Sequence, residues 1–309
     1  MVVCRLLGAT DARRAVLLAR VVMLSICIPV YNYDARPLVR ELSRQVASVT
    51  EEIEILLYDD GSSDATRLLN AELRDLSRVR YVEAPHNIGR SAIRNLMASD
   101  ASGDRLVMLD VDCWPNDAFI ATYLDHADGP VVVGGTRYAD EPPSDPRLFL
   151  HWHYGRRRES KAPARRNSPT FQSSNFMVRR SIMLAHPFPE VHGYGHEDTL
   201  WGQLLVPANI SVRYVDNAVT HLGLEPDTEF LSKQREAIES LRKLRKAHPT
   251  LRTRLTTFVD RYPKFTALLA YLPEERLRKY VLENGSLRAL DLLKLKWWMH
   301  GLLPTLNYR

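Results

Sequence analysis

The chain predicts an α/β protein: a mostly parallel sheet flanked by helices, with a helical region after it. Three observations carry this expectation. Short apolar, β-branched runs alternate with helix-period segments through about the first 220 residues, the pattern of βαβ units. Several of these runs end in acids or turn residues, where parallel sheets bind ligands. From Glu229 the texture changes to apolar helical stripes set among Lys and Arg. The charge is divided accordingly. Residues 228–309 hold 17 Lys/Arg against 8 Asp/Glu, so they carry +9 of an overall +5 and leave −4 on residues 1–227. A basic tail suits an anionic partner, phospholipid or nucleic acid, and equally a solvated helical surface.

Composition places the chain among soluble globular proteins, with 45% hydrophobic and 26% charged residues. Three cysteines, Cys4, Cys27 and Cys113, show neither pairing nor metal-type spacing, which points to a reducing, cytoplasmic setting. No apolar run is long enough to span a bilayer; residues 15–30 come nearest, and Arg20 interrupts them. Residues 1–22 read as an extension outside the core, with Met23 at the head of the first strand.

The elements follow in order. Residues 24–28 are a buried strand stopped by Pro29. Asp34 stands at an N-cap position with Pro37 in the first turn, and Leu38, Leu42, Val46 and Val49 mark a helix face. Residues 53–58 are the second strand, closed by Asp59-Asp60-Gly61-Ser62-Ser63-Asp64, which is turn and cap chemistry. Leu68, Leu69, Leu73 and Leu76 are expected on the buried face of the next helix. Residues 79–82 form a strand, Asn87-Ile88-Gly89 a turn and residues 91–99 a helix.

The fourth strand, residues 105–109, runs into Asp110-Val111-Asp112. Residues i and i+2 of an extended chain share a side, so these two carboxylates are expected to act together. Paired hard oxygens suit Mg²⁺ or Mn²⁺ bound with substrate phosphates. A helix over 116–126 and a strand over 131–136 come next. Residues 142–170, with Arg156-Arg157-Arg158, Lys161, Arg165 and Arg166, read as a mobile basic loop. A strand over 174–178 precedes Gly193-Tyr194-Gly195-His196-Glu197-Asp198, which opens a helix to about residue 206. A strand over 210–214 leads to Thr220-His221-Leu222-Gly223. The last helix, 287–303, places Lys294 and Lys296 beside Trp297 and Trp298, a pattern of helices lying in a membrane interface.

Taken together, Ser25-Ile26-Cys27-Ile28-Pro29-Val30-Tyr31-Asn32, Asp59-Asp60-Gly61-Ser62-Ser63-Asp64, Asn87-Ile88-Gly89 with Arg94-Asn95, Asp110-Val111-Asp112, Glu197-Asp198 and His221 resemble the family 2 glycosyltransferases of the GT-A fold. The resemblance covers residues 24 to about 223. It implies a catalytic domain over 23–227, with 228–309 a basic helical extension. It also implies an inverting transferase that uses a nucleotide-diphosphate sugar, most often UDP-linked, with Mn²⁺ or Mg²⁺. Asp112 is then the first metal ligand, with His221 completing the site and Asp110 on the ribose or the metal waters. Pro29, Val30 and Tyr31 would hold base and ribose, Asp59 or Asp60 would accept from the base, and Asn87 and Arg94 would line the base or diphosphate. Asp198 is the implied base, and Glu197 the contact for acceptor hydroxyls.

A Gln-x-x-Arg-Trp motif, usual in processive synthases of that family, is missing, so single-sugar transfer is expected. The Gly-Tyr-Gly-His-Glu-Asp stretch resembles the acceptor-side motif of galactosyl- and N-acetylgalactosaminyltransferases. The expected partners are a sugar-nucleotide donor and a glycan or lipid-linked acceptor in surface polysaccharide or glycolipid synthesis, with peripheral membrane contact through the C-terminal helices and no nucleic acid. The rival reading is a sugar-nucleotide or glycan-binding protein of the same fold without activity. A nucleotidyltransferase fits less well, because Pro29-Val30-Tyr31-Asn32-Tyr33 stands where a Gly-rich phosphate loop would be.

Overall fold

The computed structural model describes residues 23–166, 171–191 and 193–300. The expected extension over 1–22 and the part of the last helix beyond His300 lie outside the described residues. A seven-stranded sheet has the order β3-β2-β1-β4-β8-β6-β9. It comprises β1 (Leu24–Val30), β2 (Ile53–Asp59), β3 (Val79–Glu83), β4 (Arg105–Leu109), β6 (Val131–Val133), β8 (Asn175–Arg179) and β9 (Val212–Tyr214). Only β8 runs against its neighbours. A second sheet joins β5 (Cys113–Trp114), β10 (Val219–His221) and β7 (Thr136–Arg137).

Both faces of the large sheet are covered, as parallel strands require. Ile26, Ile28, Ile55, Leu57, Val107 and Leu109 point to one side. There they meet Leu38, Val39 and Leu42 of α1 (Arg36–Val46) and Phe119, Ile120 and Tyr123 of α4 (Phe119–Asp125). Their strand neighbours Cys27, Leu56, Tyr58, Leu106 and Met108 point the other way. They pack on Ile93 and Met97 of α3 (Arg90–Asp100), Met183 of α6 (Arg180–Ala185) and Trp201 of α7 (Glu197–Leu204). Trp201 is fully buried and stacks on Phe188 at 4.8 Å.

The first strand does not stop at Pro29. Leu24 N–H donates to Glu52 and Val30 accepts from Asp60 N–H, so even-numbered residues of β1 face β2 and odd-numbered ones face β4. Registered pairs with β4 end at Cys27 and Met108, so nothing on that side needs the N–H that Pro29 lacks. Helix α1 starts after Ala35 rather than Asp34, although the Asp34 carboxylate still accepts from Arg36 N–H. Helix α2 (Asp64–Asn70) is capped by Ser63 as its sequence implies. The expected buried face fails there: Leu68 and Leu69 are exposed and only Leu73 is deeply buried. The helix tightens into a 3₁₀ turn at Ala71, which breaks the stripe that the leucine spacing implies. Gly134 and Gly135 split the expected strand over 131–136 into β6 and β7.

The Arg-rich segment is a larger correction. In place of the expected loop it holds α5 (Phe149–Tyr154), continued by a π turn over Gly155–Glu159. Leu150 is fully buried, and its N–H donates to Asp227. Arg156 pairs with Asp140 and Arg158 with Asp291, so two of the three consecutive arginines are anchored to the body.

The C-terminal region is α8 (Asp227–Ala247), α9 (Arg254–Arg261), α10 (Pro263–Leu269), α11 (Glu274–Asn284) and α12 (Leu287–His300). Phe230, Leu231, Ile238, Leu241, Leu290 and Leu293 build its core, which also takes in Leu150 and Leu200 of the body. Trp297, Trp298 and Lys296 are buried here, so they form packing and not a membrane-facing stripe.

Trp201→Ala should lower stability by about 3–5 kcal/mol, and Leu68→Ala should change it by no more than about 0.5 kcal/mol, both read from urea unfolding. Equal effects of the two would contradict this pattern of burial.

Candidate active site

The acids gather where the sheet ends. Asp112 immediately precedes β5, and β10 ends in His221. Their antiparallel register pairs His221 with Cys113 and Thr220 with Trp114, and Leu222 N–H donates to Asp112 O at 2.8 Å. The ladder therefore sets a histidine beside an aspartate more than a hundred residues away. His221 Nε2 lies 3.4 Å from Asp112 Oδ2. A Cβ at Gly223 would collide with that carboxylate, so glycine is what lets the Asp112 side chain lie where it does.

Asp110 and Asp112 separate in role. Arg94 Nη2 donates to Asp110 Oδ1 at 2.6 Å, with the Arg94 side chain almost wholly buried. Arg94 therefore fastens α3 to Asp110, just beyond the end of β4. Asn95 continues the stitch, exchanging two hydrogen bonds with the Phe188 backbone. Among the described residues Asp112 has no such arginine or lysine partner.

A divalent cation fits the Asp112–His221 pair. Both side chains are partly accessible, the donors are an oxygen and an imidazole nitrogen, and Nδ1 of His221 is buried without a partner. Among the described residues no group of three or more His, Cys, Asp or Glu closes around one position. Two protein ligands with substrate phosphates completing the shell is the usual way such cations are held beside diphosphates.

His221 rests on a wall that the sequence did not reveal. Tyr138 stacks on it at 5.2 Å and His151 lies at 5.5 Å. Tyr138 O–H donates to Glu159. His151 Nδ1 accepts from Glu225 N–H at 3.0 Å, and its ring stacks on Phe230. Burial, helped by the nearby charges of His221 and Lys233, pushes the His151 pKa down to about 3, so this ring is neutral support. The basic composition of residues 142–170 hides these contacts; the aromatic run from Phe149 to Tyr154 is the signal available.

Glu197 and Asp198 are the first residues of α7. The chain enters through Gly193, Gly195 and His196, all at positive φ, a turn that the two glycines make accessible. Burial, reinforced by the charge of Glu197, pushes the Asp198 pKa up to about 7, against the hydrogen bond from Thr199 N–H and the Arg94 charge. Glu197 is buried, with Oε2 unpartnered, so it is not consumed in capping its helix.

Arg90, the first residue of α3, joins the site without having stood out in the sequence. Its guanidinium lies 4.7 Å from the Tyr194 ring centre. Desolvation opposes its charge, but the fields of Tyr194, Asp110, Glu197 and Asp112 outweigh this and raise its pKa. It thus interacts with acids of both groups. Its place two residues after Ile88, at a helix start, is the sequence signal.

Asp59 and Asp60 are spent on the protein itself. Asp59 is fully buried, accepts from Ser62 N–H and faces Arg67. Asp60 accepts from Ile88 and Gly89 N–H at 2.7 and 3.0 Å. This holds the Asn87 turn, and the close backbone approach leaves no room for a side chain at Gly61. The expected base contact through either carboxylate is not what the geometry displays. Val30 is buried, with its carbonyl bonded to Asp60. Pro29 is half-buried. Tyr31 and Asn87 are exposed at the rim.

A mostly parallel sheet with acids beyond its strand ends is the ligand-binding arrangement of open α/β folds. The chain belongs to glycosyl transferase family 2, whose family model matches residues 25–185. It is 33% identical over 140 residues to a validoxylamine A glucosyltransferase of Streptomyces hygroscopicus subsp. limoneus, covering 43% of this chain and 30% of that protein. It is 36% identical over 118 residues to an undecaprenyl-phosphate 4-deoxy-4-formamido-L-arabinose transferase of Klebsiella pneumoniae (strain 342), covering 37% and 36%. The chain spans less than half the length of the curated relatives it matches. In fold it is similar to a mannosyltransferase from Pyrobaculum calidifontis solved with GDP-Man and Mn²⁺, with a TM-score of 0.56, 16% identity and coverage of 93% of this chain and 88% of that one. The α/β architecture is that of the GT-A glycosyltransferases.

The two aspartates are expected to fail differently. Asp110→Asn should cost about 2 kcal/mol of stability by leaving Arg94 with a weaker partner, measured by denaturant melts. Asp112→Asn should leave the melt within about 0.5 kcal/mol and act on ligand binding alone. The reverse order would overturn this assignment.

Proposed function

We propose that this protein is an inverting glycosyltransferase that moves one sugar from a nucleotide-diphosphate donor, UDP-linked in our reading, to a hydroxyl of a glycan or lipid-linked acceptor. The observation that carries the proposal is Asp112 set beside His221, together with Asp198, its pKa raised, and Arg90, whose charge interacts with Asp110, Asp112 and Glu197 alike. Family membership supports it. So do the GDP-Man and Mn²⁺ held by the mannosyltransferase of similar fold.

Each residue has a physical task. Asp112 and His221 would hold Mn²⁺ or Mg²⁺, which offsets the charge growing on the departing diphosphate. Arg90, whose charge interacts with Asp112 and Glu197 alike, would bind the phosphates directly. Tyr31 and the backbone of Pro29 and Val30 line the strand end where base and ribose belong, with Asn87 across from them.

Inversion needs the acceptor to arrive from the side opposite the leaving group. Asp198 takes the proton from the acceptor hydroxyl as its oxygen bonds to the anomeric carbon and the bond to the diphosphate breaks. A base with a pKa near neutrality is both ionised and strong enough for this work. The unpartnered Glu197 oxygen would accept from an acceptor hydroxyl and orient it. Surface polysaccharide or glycolipid synthesis is the setting in which such an acceptor occurs. A galactosyl or N-acetylgalactosaminyl donor is the first to test.

The direct test is a screen of UDP-sugars with Mn²⁺ for release of UDP. Because Asp198 must be ionised, the rate should fall as pH drops through about 7. Asp198→Asn should lose about 10²–10⁴ in rate while still binding UDP; full activity in that variant removes Asp198 as the base. Arg90→Met should weaken UDP binding about tenfold, the size of one charge-assisted contact, and leave uridine binding unchanged. An equal loss for both ligands would mean that Arg90 only shapes the site.

A further inference from the structure

Trp297 and Trp298, which the sequence pattern would set against a membrane, are both buried. The apolar surface of the C-terminal region lies elsewhere. Tyr262, Phe265, Leu268 and Tyr271, within ten residues of one another, are 44, 50, 64 and 82% exposed. Phe265 and Leu268 are three apart on α10, Tyr262 is its N-cap, and Tyr271 follows just after its end.

The opposite face of the same helix is fixed. Thr266 and Leu269 are buried, and Thr266 Oγ1 donates to the Tyr262 and Pro263 carbonyls. Lys296 Nζ, from the buried face of α12, donates to Ala270 O at 2.7 Å. The aromatic side chains are therefore held outward by a packed support.

Cations frame the patch. Arg261 and Lys264 are exposed, and Arg261 leans on the Tyr262 ring at 5.5 Å. The acids of residues 250–280 have partners of their own, the exposed Glu275 lying 3.8 Å from Arg278. Asp260 binds Arg245 and Arg252, and Glu274 binds Arg235 and the Trp297 indole. Among the described residues Arg261 and Lys264 form no ion pair. Residues 250–280 hold seven Lys/Arg against three Asp/Glu.

We propose that α10 is a shallow membrane-docking surface, whose partner is an anionic phospholipid bilayer. Tyrosine and phenylalanine rings suit the headgroup boundary. Leu268 reaches below it, and Arg261 and Lys264 meet lipid phosphates while their stems lie on apolar surface. The four side chains expose on the order of 500 Å², short of the roughly 800 Å² per partner of a stable protein interface, so a bilayer fits better than a second copy of this chain. Among the described residues no helix is long and apolar enough to cross a membrane.

Co-sedimentation with vesicles tests this without any donor or acceptor, so it stands or falls apart from the proposed reaction. The chain should pellet with phosphatidylcholine vesicles containing phosphatidylglycerol and stay in solution with phosphatidylcholine alone. The double variant Phe265→Ser/Leu268→Ser, and separately Arg261→Glu/Lys264→Glu, should each bind about tenfold less. Both should keep the wild-type far-UV spectrum and the rate of UDP-sugar hydrolysis. The charge pair keeps the test valid should the apolar pair fail to fold. No binding by the wild type, or binding unchanged in a folded variant, overturns the proposal. So does self-association that the apolar pair abolishes without any vesicle binding.

Discussion

A ladder only two residues long, His221 opposite Cys113 and Thr220 opposite Trp114, brings the two halves of the candidate site together. Asp112 lies in the turn between β4 of the large sheet and β5 of the small one. His221 comes from a strand formed more than a hundred residues later. Only their register places imidazole and carboxylate 3.4 Å apart, and a slip of one residue would turn the histidine to the other face. The bond from Leu222 N–H to Asp112 O extends the ladder, and glycine at 223 leaves the carboxylate its space.

Around this ladder the chain sorts its polar groups into those that hold the fold and those left for ligand. Asp59, Asp60, Asp110, Arg94 and Asn95 are engaged with the protein. His221 Nδ1 and Glu197 Oε2 are buried without a partner, Asp198 accepts from its own neighbour Thr199, and these residues with Asp112 and Arg90 are the ones the proposed reaction uses. A buried polar group needs a partner, which a substrate would supply. Tyr138, His151 and Phe230 then form an apolar wall behind His221, joining the helical extension to the site it supports.

Much of this is legible in the sequence, for identifiable reasons. Parallel strands buried on both faces are continuous apolar runs, so residues 24–28, 53–58 and 105–109 stand out. Their ends are marked by residues whose chemistry is unusual at a strand end. What fails is whatever depends on distant packing. The Leu68 and Leu69 spacing suits a helix face, but the helix tightens before that face can be buried. Residues 142–170 look like a basic loop because their arginines outnumber their apolar groups; Leu150 and the aromatic run, which fold the segment, need α8 as a partner. The buried Trp297 and Trp298 carry the same local pattern as an interfacial helix. Whether a tryptophan faces lipid or protein is decided by residues far away in the chain. The roles of Asp110 and Asp112 part only through Arg94, a partner on another element that spacing along the strand does not disclose.

In the proposed reaction Asp112 and His221 would hold a divalent cation that carries the donor's phosphates. Calorimetric titration of UDP, and of GDP in parallel, with Mn²⁺ and with a chelator tests it most directly. Binding should need Mn²⁺ in the wild type and weaken at least about tenfold in Asp112→Asn, consistent with losing one charged ligand. Equal affinity with and without the metal, or no difference between wild type and Asp112→Asn, would contradict it.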